Sequence, residues 1–199
     1  MKHPGIWRPR SILAVATLAA LVLVGGCASP PRHAQADMPA PVSASSGAPS
    51  TPAELTVDGA SSPTDAVATD TAGVLLPPQD ISRTGWWVDS SLPGSGAGTI
   101  VMTGHVDDIA QGTGFAARFA RLRDGDVITV TTADRQAHRY LVTRTMMSDK
   151  ESTGPAGLPV AELNRRDGPE TLALITCGGP FVGPPLGYRD NVVVFASPA

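Results

Sequence analysis

The chain has 199 residues, a formal net charge of −3 and only 5% aromatic residues. This length is enough for one folded domain with appendages and too short for two full-sized domains. The sequence has no basic stripe that would neutralise phosphates, which argues against nucleic acid as a partner. Because no aromatic residue occurs between Trp7 and Trp86, we expect the folded core to lie downstream of about residue 74.

The N-terminus has the features of an export signal. A basic stretch at residues 2–10 precedes a mostly apolar run at residues 12–24. That run is shorter than the roughly twenty residues that span a bilayer, and it suits a secretory signal peptide. The following Gly25-Gly26-Cys27 resembles the end of a bacterial lipobox, in which the cysteine sulfur receives a diacylglyceryl group. We therefore predict a lipoprotein signal peptide at residues 1–26 and a lipid anchor at Cys27 on the extracytoplasmic face of the membrane. An ordinary signal peptide cleaved elsewhere is the alternative.

Residues 27–73 are predicted to be a flexible tether. Ala, Ser, Pro, Thr and Gly dominate this segment, which has no aromatic residue and no helical or strand periodicity. A segment of this composition buries too little apolar surface to offset the entropy lost on ordering. The composition changes at Val74, and we predict one folded domain over residues 74–199.

Short strands dominate the predicted domain. Apolar residues spaced i, i+4 and i+7 over 115–122 predict a short amphipathic helix. Residues 146–168 are predicted to be irregular apart from one helical turn near 160–163, and residues 178–187 form a Gly/Pro-rich loop. Repeated short strands with one minor helix favour a closed or nearly closed β-barrel. The predicted strands are residues 99–103, 127–131, 138–143, 172–177 and 192–195.

Cys177 is the only cysteine downstream of Cys27, and it ends one of these strands. Exported proteins usually oxidise or avoid a free thiol, so its presence calls for a reason. A cysteine becomes a nucleophile when a basic partner raises its thiolate fraction. His105 follows another strand, and Arg189 begins the last one, so both can meet the thiol at one rim of a barrel. The guanidinium there would stabilise an oxyanion or hold a peptide backbone.

Each of these three residues also has a purely structural explanation. A buried cysteine commonly serves as a small apolar residue. His105 is equally compatible with a turn, and Arg189 with a surface ion pair to Asp190. The spacing of the three residues alone leaves both explanations open.

Four motifs together resemble the bacterial sortases, most closely class F of the actinobacteria. They occur in the family's order of histidine, cysteine and arginine, over residues 74–199. Ser148-Asp149-Lys150 stands where many class F members have a Pro-Lys pair. The motifs are Trp86-Trp87, Thr103-Gly104-His105-Val106-Asp107, Leu174-Ile175-Thr176-Cys177-Gly178-Gly179 and Tyr188-Arg189-Asp190-Asn191-Val192-Val193-Val194.

The resemblance implies an eight-stranded sortase β-barrel and a cysteine transpeptidase that anchors surface proteins to the cell wall. Cys177 would attack the Thr–Gly bond of a Leu-Pro-x-Thr-Gly-like sorting signal and form a thioacyl intermediate. His105 would protonate the leaving amine and deprotonate the incoming one, and Arg189 would stabilise the oxyanion or orient the peptide. Thr176 resembles a threonine that shapes the substrate site. Residues 146–167 would form a mobile, substrate-lining lid.

The expected partners are sorting-signal peptides, a cell-wall amine acceptor and the membrane through the N-terminal lipid, and we expect a monomer. We expect no cofactor and no metal, because His33 and His138 lack partner ligands at useful spacing. Asp107 and Asp108 are predicted to be loop residues, with the alternative that they orient His105 or Arg189. The competing function is a lipoprotein that binds sorting signals or another ligand without turnover.

Overall fold

The computed structural model describes residues 38–199, which contain eleven strands, one 3-10 helix and one short α-helix. The 3-10 helix is Phe115–Arg121, and the α-helix, α1, is Val160–Leu163. The strands are β1 (Val42–Ser43), β2 (Pro52–Val57), β3 (Ala60–Ala68), β4 (Thr84–Trp87), β5 (Thr99–Thr103), β6 (Asp107–Asp108), β7 (Gly112–Thr113), β8 (Val127–Thr132), β9 (Ala137–Asp149), β10 (Thr171–Gly183) and β11 (Gly187–Pro198).

Eight strands close into a barrel in the order β3-β2-β8-β9-β11-β10-β5-β4, and β4 pairs back onto β3. The β3–β4 and β5–β10 pairs are parallel, and the other pairs of the barrel are antiparallel. β1 adds two residues beside the end of β3, and β6 and β7 form a separate small hairpin. The predicted closed eight-stranded β-barrel is confirmed.

The prediction that the tether extends to residue 73 is wrong for residues 52–68. β2 and β3 are two strands of the barrel, and the side chains of Leu55, Val57 and Val67 are buried in the core. Asp58 and Gly59 turn between them with φ of 51° and 70°, the conformation of a tight hairpin turn. An Asp-Gly pair flanked by alternating apolar residues is a hairpin signal, which the Ala/Ser/Pro-rich composition around it obscured. The predicted signal peptide, the lipidation site Cys27 and residues 27–37 of the tether lie outside the described residues.

The remaining elements follow the predicted pattern with changed bounds. β5 and α1 coincide with their predicted ranges, and the hairpin of β8 and β9 is confirmed. β9 runs on to Asp149, so the predicted irregular segment begins four residues later than expected. β10 and β11 extend through most of the predicted loop at 178–187 and leave only a short turn. β10 and β11 remain paired beyond Gly178. Hydrogen bonding between the strands therefore outweighs the preference of the Gly/Pro-rich composition for a loop.

The middle of β11 is buried on both of its faces, as its continuous apolar run predicts. Val192 and Val194 belong to the cluster inside the barrel, whereas Val193 and Phe195 pack in a second cluster on the outer face with Leu163 of α1. Side chains that alternate along a strand point to opposite faces of the sheet. The segment between β9 and β10 therefore covers the outside of the strands that lead to the candidate site.

The 3-10 helix fills the barrel interior with Phe115 and Phe119, whose rings meet edge to face at 6.3 Å. The sequence predicts a helix here, and its i, i+3 hydrogen bonding makes it tighter than the expected α-helix. No helix of residues 38–199 is long and apolar enough to cross a membrane.

Phe119→Ala is expected to lower the free energy of unfolding by about 3–5 kcal/mol, because it leaves a cavity at a fully buried position. Chemical denaturation followed by intrinsic fluorescence measures this change. The matched control is Phe181→Ala, since Phe181 is 66% exposed and its loss should change stability by only about 0.5 kcal/mol. Equal destabilisation by the two substitutions would contradict the assignment of the core.

Candidate active site

The parallel pair β5 and β10 brings His105 and Cys177 to the same rim of the barrel. Thr103 and Ile175 are paired residues, and the Gly104 N–H continues the ladder by donating to the Ile175 carbonyl oxygen at 3.2 Å. His105 and Cys177 each lie two residues beyond that pair. The two residues therefore occupy equivalent register positions, His105 just beyond β5 and Cys177 within β10. The structure thus places two of the three residues that the sequence singles out on neighbouring segments of the barrel.

Thr176 ties the two strands together immediately before the thiol. Its hydroxyl donates to the carbonyl oxygen of Gly104 at 2.8 Å, and the residue is only 2% exposed. The threonine therefore fixes the spacing between β10 and Gly104, next to Cys177 and His105, and its hydroxyl is buried.

His105 is held in a partly buried pocket. Its Nε2 atom is buried and has no hydrogen-bond partner among the described residues. Burial lowers the pKa of His105 below its usual 6.5, and the nearby carboxylates of Asp108 and Asp107 oppose this shift. Gly114 leaves room for the histidine backbone, since a Cβ there would lie 2.2 Å from the His105 carbonyl oxygen. Burial therefore favours the uncharged form of the imidazole, and its Nε2 atom is left without a hydrogen bond among the described residues.

Cys177 is a half-buried free thiol, and its nearest polar partner is Lys150. The Lys150 ammonium nitrogen lies 3.4 Å from Sγ of Cys177. Lys150 directly follows β9, and its N–H donates to the Arg189 carbonyl oxygen at 3.2 Å. Three adjacent strands, β9, β11 and β10, therefore set the distance between the ammonium and the sulfur. Sequence reasoning did not select Lys150, although a signal existed: it is the only lysine downstream of Lys2.

The guanidinium of Arg189 is paired with Asp190. Its Nε and one terminal nitrogen donate to the two carboxylate oxygens of Asp190, both at 3.0 Å. This hydrogen bonding raises the pKa of Arg189 and lowers the pKa of Asp190. The Arg189 side chain is 51% exposed, whereas that of Asp190 is 8% exposed. Gly179, with φ of 73°, makes room for the pair, since a Cβ there would lie 2.1 Å from the Asp190 carboxylate.

Asp107 and Tyr188 connect the two sides of the rim. The Tyr188 hydroxyl donates to an Asp107 carboxylate oxygen at 2.5 Å, which is the main reason that the pKa of Tyr188 rises to about 12. The Tyr188 ring also meets Phe181 edge to face at 5.3 Å. Asp108 instead accepts two backbone N–H groups of its own turn. Asp107 is thus a cross-strand partner of tyrosine, a contact that the sequence did not predict.

A closed eight-stranded barrel with a thiol and an imidazole at one rim defines a class of β-barrel proteins equipped for cysteine chemistry. The family model of the sortase domain matches residues 60–199. The chain therefore belongs to the sortase family, whose members are cysteine transpeptidases of the bacterial cell surface.

Solved sortase structures share the fold. Sortase C-1 from Actinomyces oris is 21% identical, with a TM-score of 0.54 over 73% of this chain and 72% of that one. Sortase A from Corynebacterium diphtheriae is 23% identical, with a TM-score of 0.54 over 75% of this chain and 60% of that one. Sortase C from Clostridium perfringens, solved with the C-terminal cell wall sorting motif, is 15% identical, with a TM-score of 0.54 over 73% and 69%. A comparison with curated proteins gave no match.

Proposed function

We propose that this sortase cleaves Leu-Pro-x-Thr-Gly-like sorting signals through a thioacyl intermediate on Cys177 and transfers the acyl group to a cell-wall amine. Surface proteins would thereby become anchored to the wall. The observation that carries this proposal is the matching register of His105 and Cys177, each two residues beyond the Thr103–Ile175 pair of β5 and β10. The neighbour from C. perfringens, whose structure includes a sorting motif, supports the same class of substrate.

His105 is the proposed proton carrier in this reaction. A neutral imidazole takes the thiol proton, and the thiolate attacks the threonine carbonyl carbon of the signal. The C–N bond to glycine then breaks, and His105 returns its proton to the leaving amine. The incoming amine gives a proton to His105, attacks the thioester and releases Cys177. The lowered pKa of His105 supports this assignment, because it leaves the ring free to accept a proton at neutral pH.

Arg189 and Thr176 are proposed to position the substrate and the reacting groups. Of the two roles considered for Arg189, orientation of the peptide suits its geometry better, since the guanidinium is paired with Asp190 yet half exposed. Donors on its solvent-facing side remain able to bind peptide carbonyls. Thr176 would act by fixing the strand ends through Gly104. We also propose that the protein belongs to class F, on the motifs named above.

The proposed location is the extracytoplasmic face of the membrane, with residues 1–26 removed and a lipid on Cys27. The tether is then limited to about residues 27–41, because β1 begins at Val42. The protein would work as a monomer, with the surface protein's sorting signal and the wall amine as its partners.

The direct test is intact-mass spectrometry of the full chain mixed with a Leu-Pro-x-Thr-Gly peptide. We expect a covalent adduct with the mass of the peptide's acyl part on Cys177, and its disappearance when a small amine is added. A protein that binds the peptide tightly and forms no adduct would be a capture protein instead, which is the competing function. The matched control peptide ends in Ala in place of Thr-Gly, so it offers no scissile bond of the proposed type.

A further inference from the structure

We propose that Lys150 is a catalytic residue whose ammonium pairs with the thiolate of Cys177 and remains beside the sulfur during attack. The inference rests on the proposed function, since it concerns the same thiol. It assigns to lysine the oxyanion-stabilising charge that the family resemblance offers as one of two roles for Arg189.

The contact is built by the backbone. The ammonium nitrogen lies 3.4 Å from Sγ of Cys177, within hydrogen-bond range for sulfur. Lys150 follows the last pair of the β9–β11 ladder, Asp149 with Asp190, and its own N–H bonds to Arg189. The Asp149 N–H donates to Ala156 at 2.8 Å, which also holds this chain segment. The lysine stem therefore starts from a fixed position, and its half-buried head has a short reach to the thiol.

The carboxylates around the site are bonded to other groups. Tyr188 donates to Asp107, the Glu151 N–H donates to Asp149 at 2.9 Å, and the guanidinium of Arg189 takes both oxygens of Asp190. Lys150 contributes a weaker, longer-range lowering of the pKa of Asp190. Two residues beyond β5, burial lowers the pKa of His105, which favours its uncharged form. Sγ of Cys177 is thus the acceptor in direct contact with the ammonium.

The choice of lysine at this position is unusual for this chain. The sequence has thirteen arginines and two lysines, Lys2 and Lys150, so arginine supplies nearly every positive charge. An ammonium is a compact point charge on a flexible stem, whereas a guanidinium is a broad planar fork. A compact cation fits beside a sulfur that must also admit a peptide carbonyl.

The ammonium keeps its three protons throughout the proposed reaction. His105 receives the proton of the thiol, and the positive charge of Lys150 favours the thiolate that remains. When the thiolate attacks the carbonyl carbon, negative charge moves from sulfur to the carbonyl oxygen, two bonds away. The ammonium of Lys150, already next to the sulfur, is close enough to stabilise that oxygen without moving to a new position.

The test is the rate of Cys177 alkylation by iodoacetamide at pH 7, measured on the full chain carrying Cys27→Ser so that one thiol is present. Lys150→Met should slow alkylation by about tenfold, because the cation that stabilises the thiolate has been removed. It should also lower kcat/KM for the sorting peptide by about 100-fold. Lys150→Arg, which keeps the charge, should retain an alkylation rate close to that of the parent.

The matched control is Arg139→Met, which removes one positive charge from the opposite end of the same strand, β9. Its alkylation rate should stay at the parent value. An unchanged rate in Lys150→Met, or an equal loss of rate in Arg139→Met, would overturn the proposal. Lys150→Gln serves as a second neutral variant should the methionine variant fold poorly. Alkylation needs no peptide, so a protein that turns over no sorting signal still gives a decisive result for Lys150.

Discussion

Cys177→Ala is expected to reduce turnover of a Leu-Pro-x-Thr-Gly peptide by at least about a thousandfold, because it removes the atom that forms the covalent intermediate. The rate is followed by release of the glycine-containing fragment, and the thioacyl adduct should vanish from the mass spectrum. Cys177 is half-buried, and alanine can keep its place opposite Asn191 in the β10–β11 ladder, so the substitution should leave the fold intact.

Two further substitutions test whether the loss of activity is due to the missing nucleophile. Cys177→Ser keeps the shape of the side chain, yet it should be nearly as inactive because a hydroxyl is a weak nucleophile without strong activation. Cys27→Ser is the matched thiol control and should keep the solution activity of the full chain. Comparable loss of turnover in Cys27→Ser, or full activity in Cys177→Ala, would refute the assignment of the nucleophile.

His105→Asn is expected to lower kcat by about 100-fold or more, since it removes the group proposed to move protons to and from the amines. The same substitution has a predicted signature in stability. The pKa of His105 is lowered on folding, so the unfolded chain binds a proton first as the pH falls through 6.5. The native protein should therefore lose stability from about pH 6.5 down to the folded-state pKa, and this component should be absent in the asparagine variant.

Urea denaturation at a series of pH values measures that component. His138→Asn is the matched control, because His138 lies on β9 away from the rim and should leave kcat unchanged. A His105→Asn variant with normal kcat would remove the histidine from the mechanism. If the parent protein and His105→Asn showed the same pH dependence of stability, that result would argue against a buried neutral imidazole.

The strands near the reacting groups were predictable because all of their residues favour a buried strand. β5 and β10 are continuous apolar runs, and His105 and Cys177 stand at or next to their predicted ends. The family motifs supplied what periodicity lacks, namely that these ends belong together. The parallel pairing of β5 with β10 joins segments far apart in the chain, so the local sequence pattern could not predict it.

Contacts that depend on which residues of paired strands lie opposite each other could not be predicted from the local sequence. Lys150 reaches the thiol only because β9 continues to Asp149 and pairs with Asp190, three strands forming one ladder. A surface ion pair of Arg189 with Asp190 was one of the two explanations that the sequence left open; the pair forms, but Asp190 is buried and lies beside Gly179. The bond from Tyr188 to Asp107 joins residues 81 positions apart. Such contacts depend on tertiary geometry rather than on local composition.

The β2–β3 hairpin decides where a shortened version of the protein can begin. A fragment starting at Val74 would lack both strands, so β4 would lose its partner β3 and β8 would lose its partner β2. The cylinder would then be split open along its length, with two rows of unsatisfied amide and carbonyl groups facing solvent. Exposed strand edges of this kind recruit other chains and promote aggregation. Recombinant versions for assay and crystallisation should therefore retain the sequence from ahead of Val42 onward.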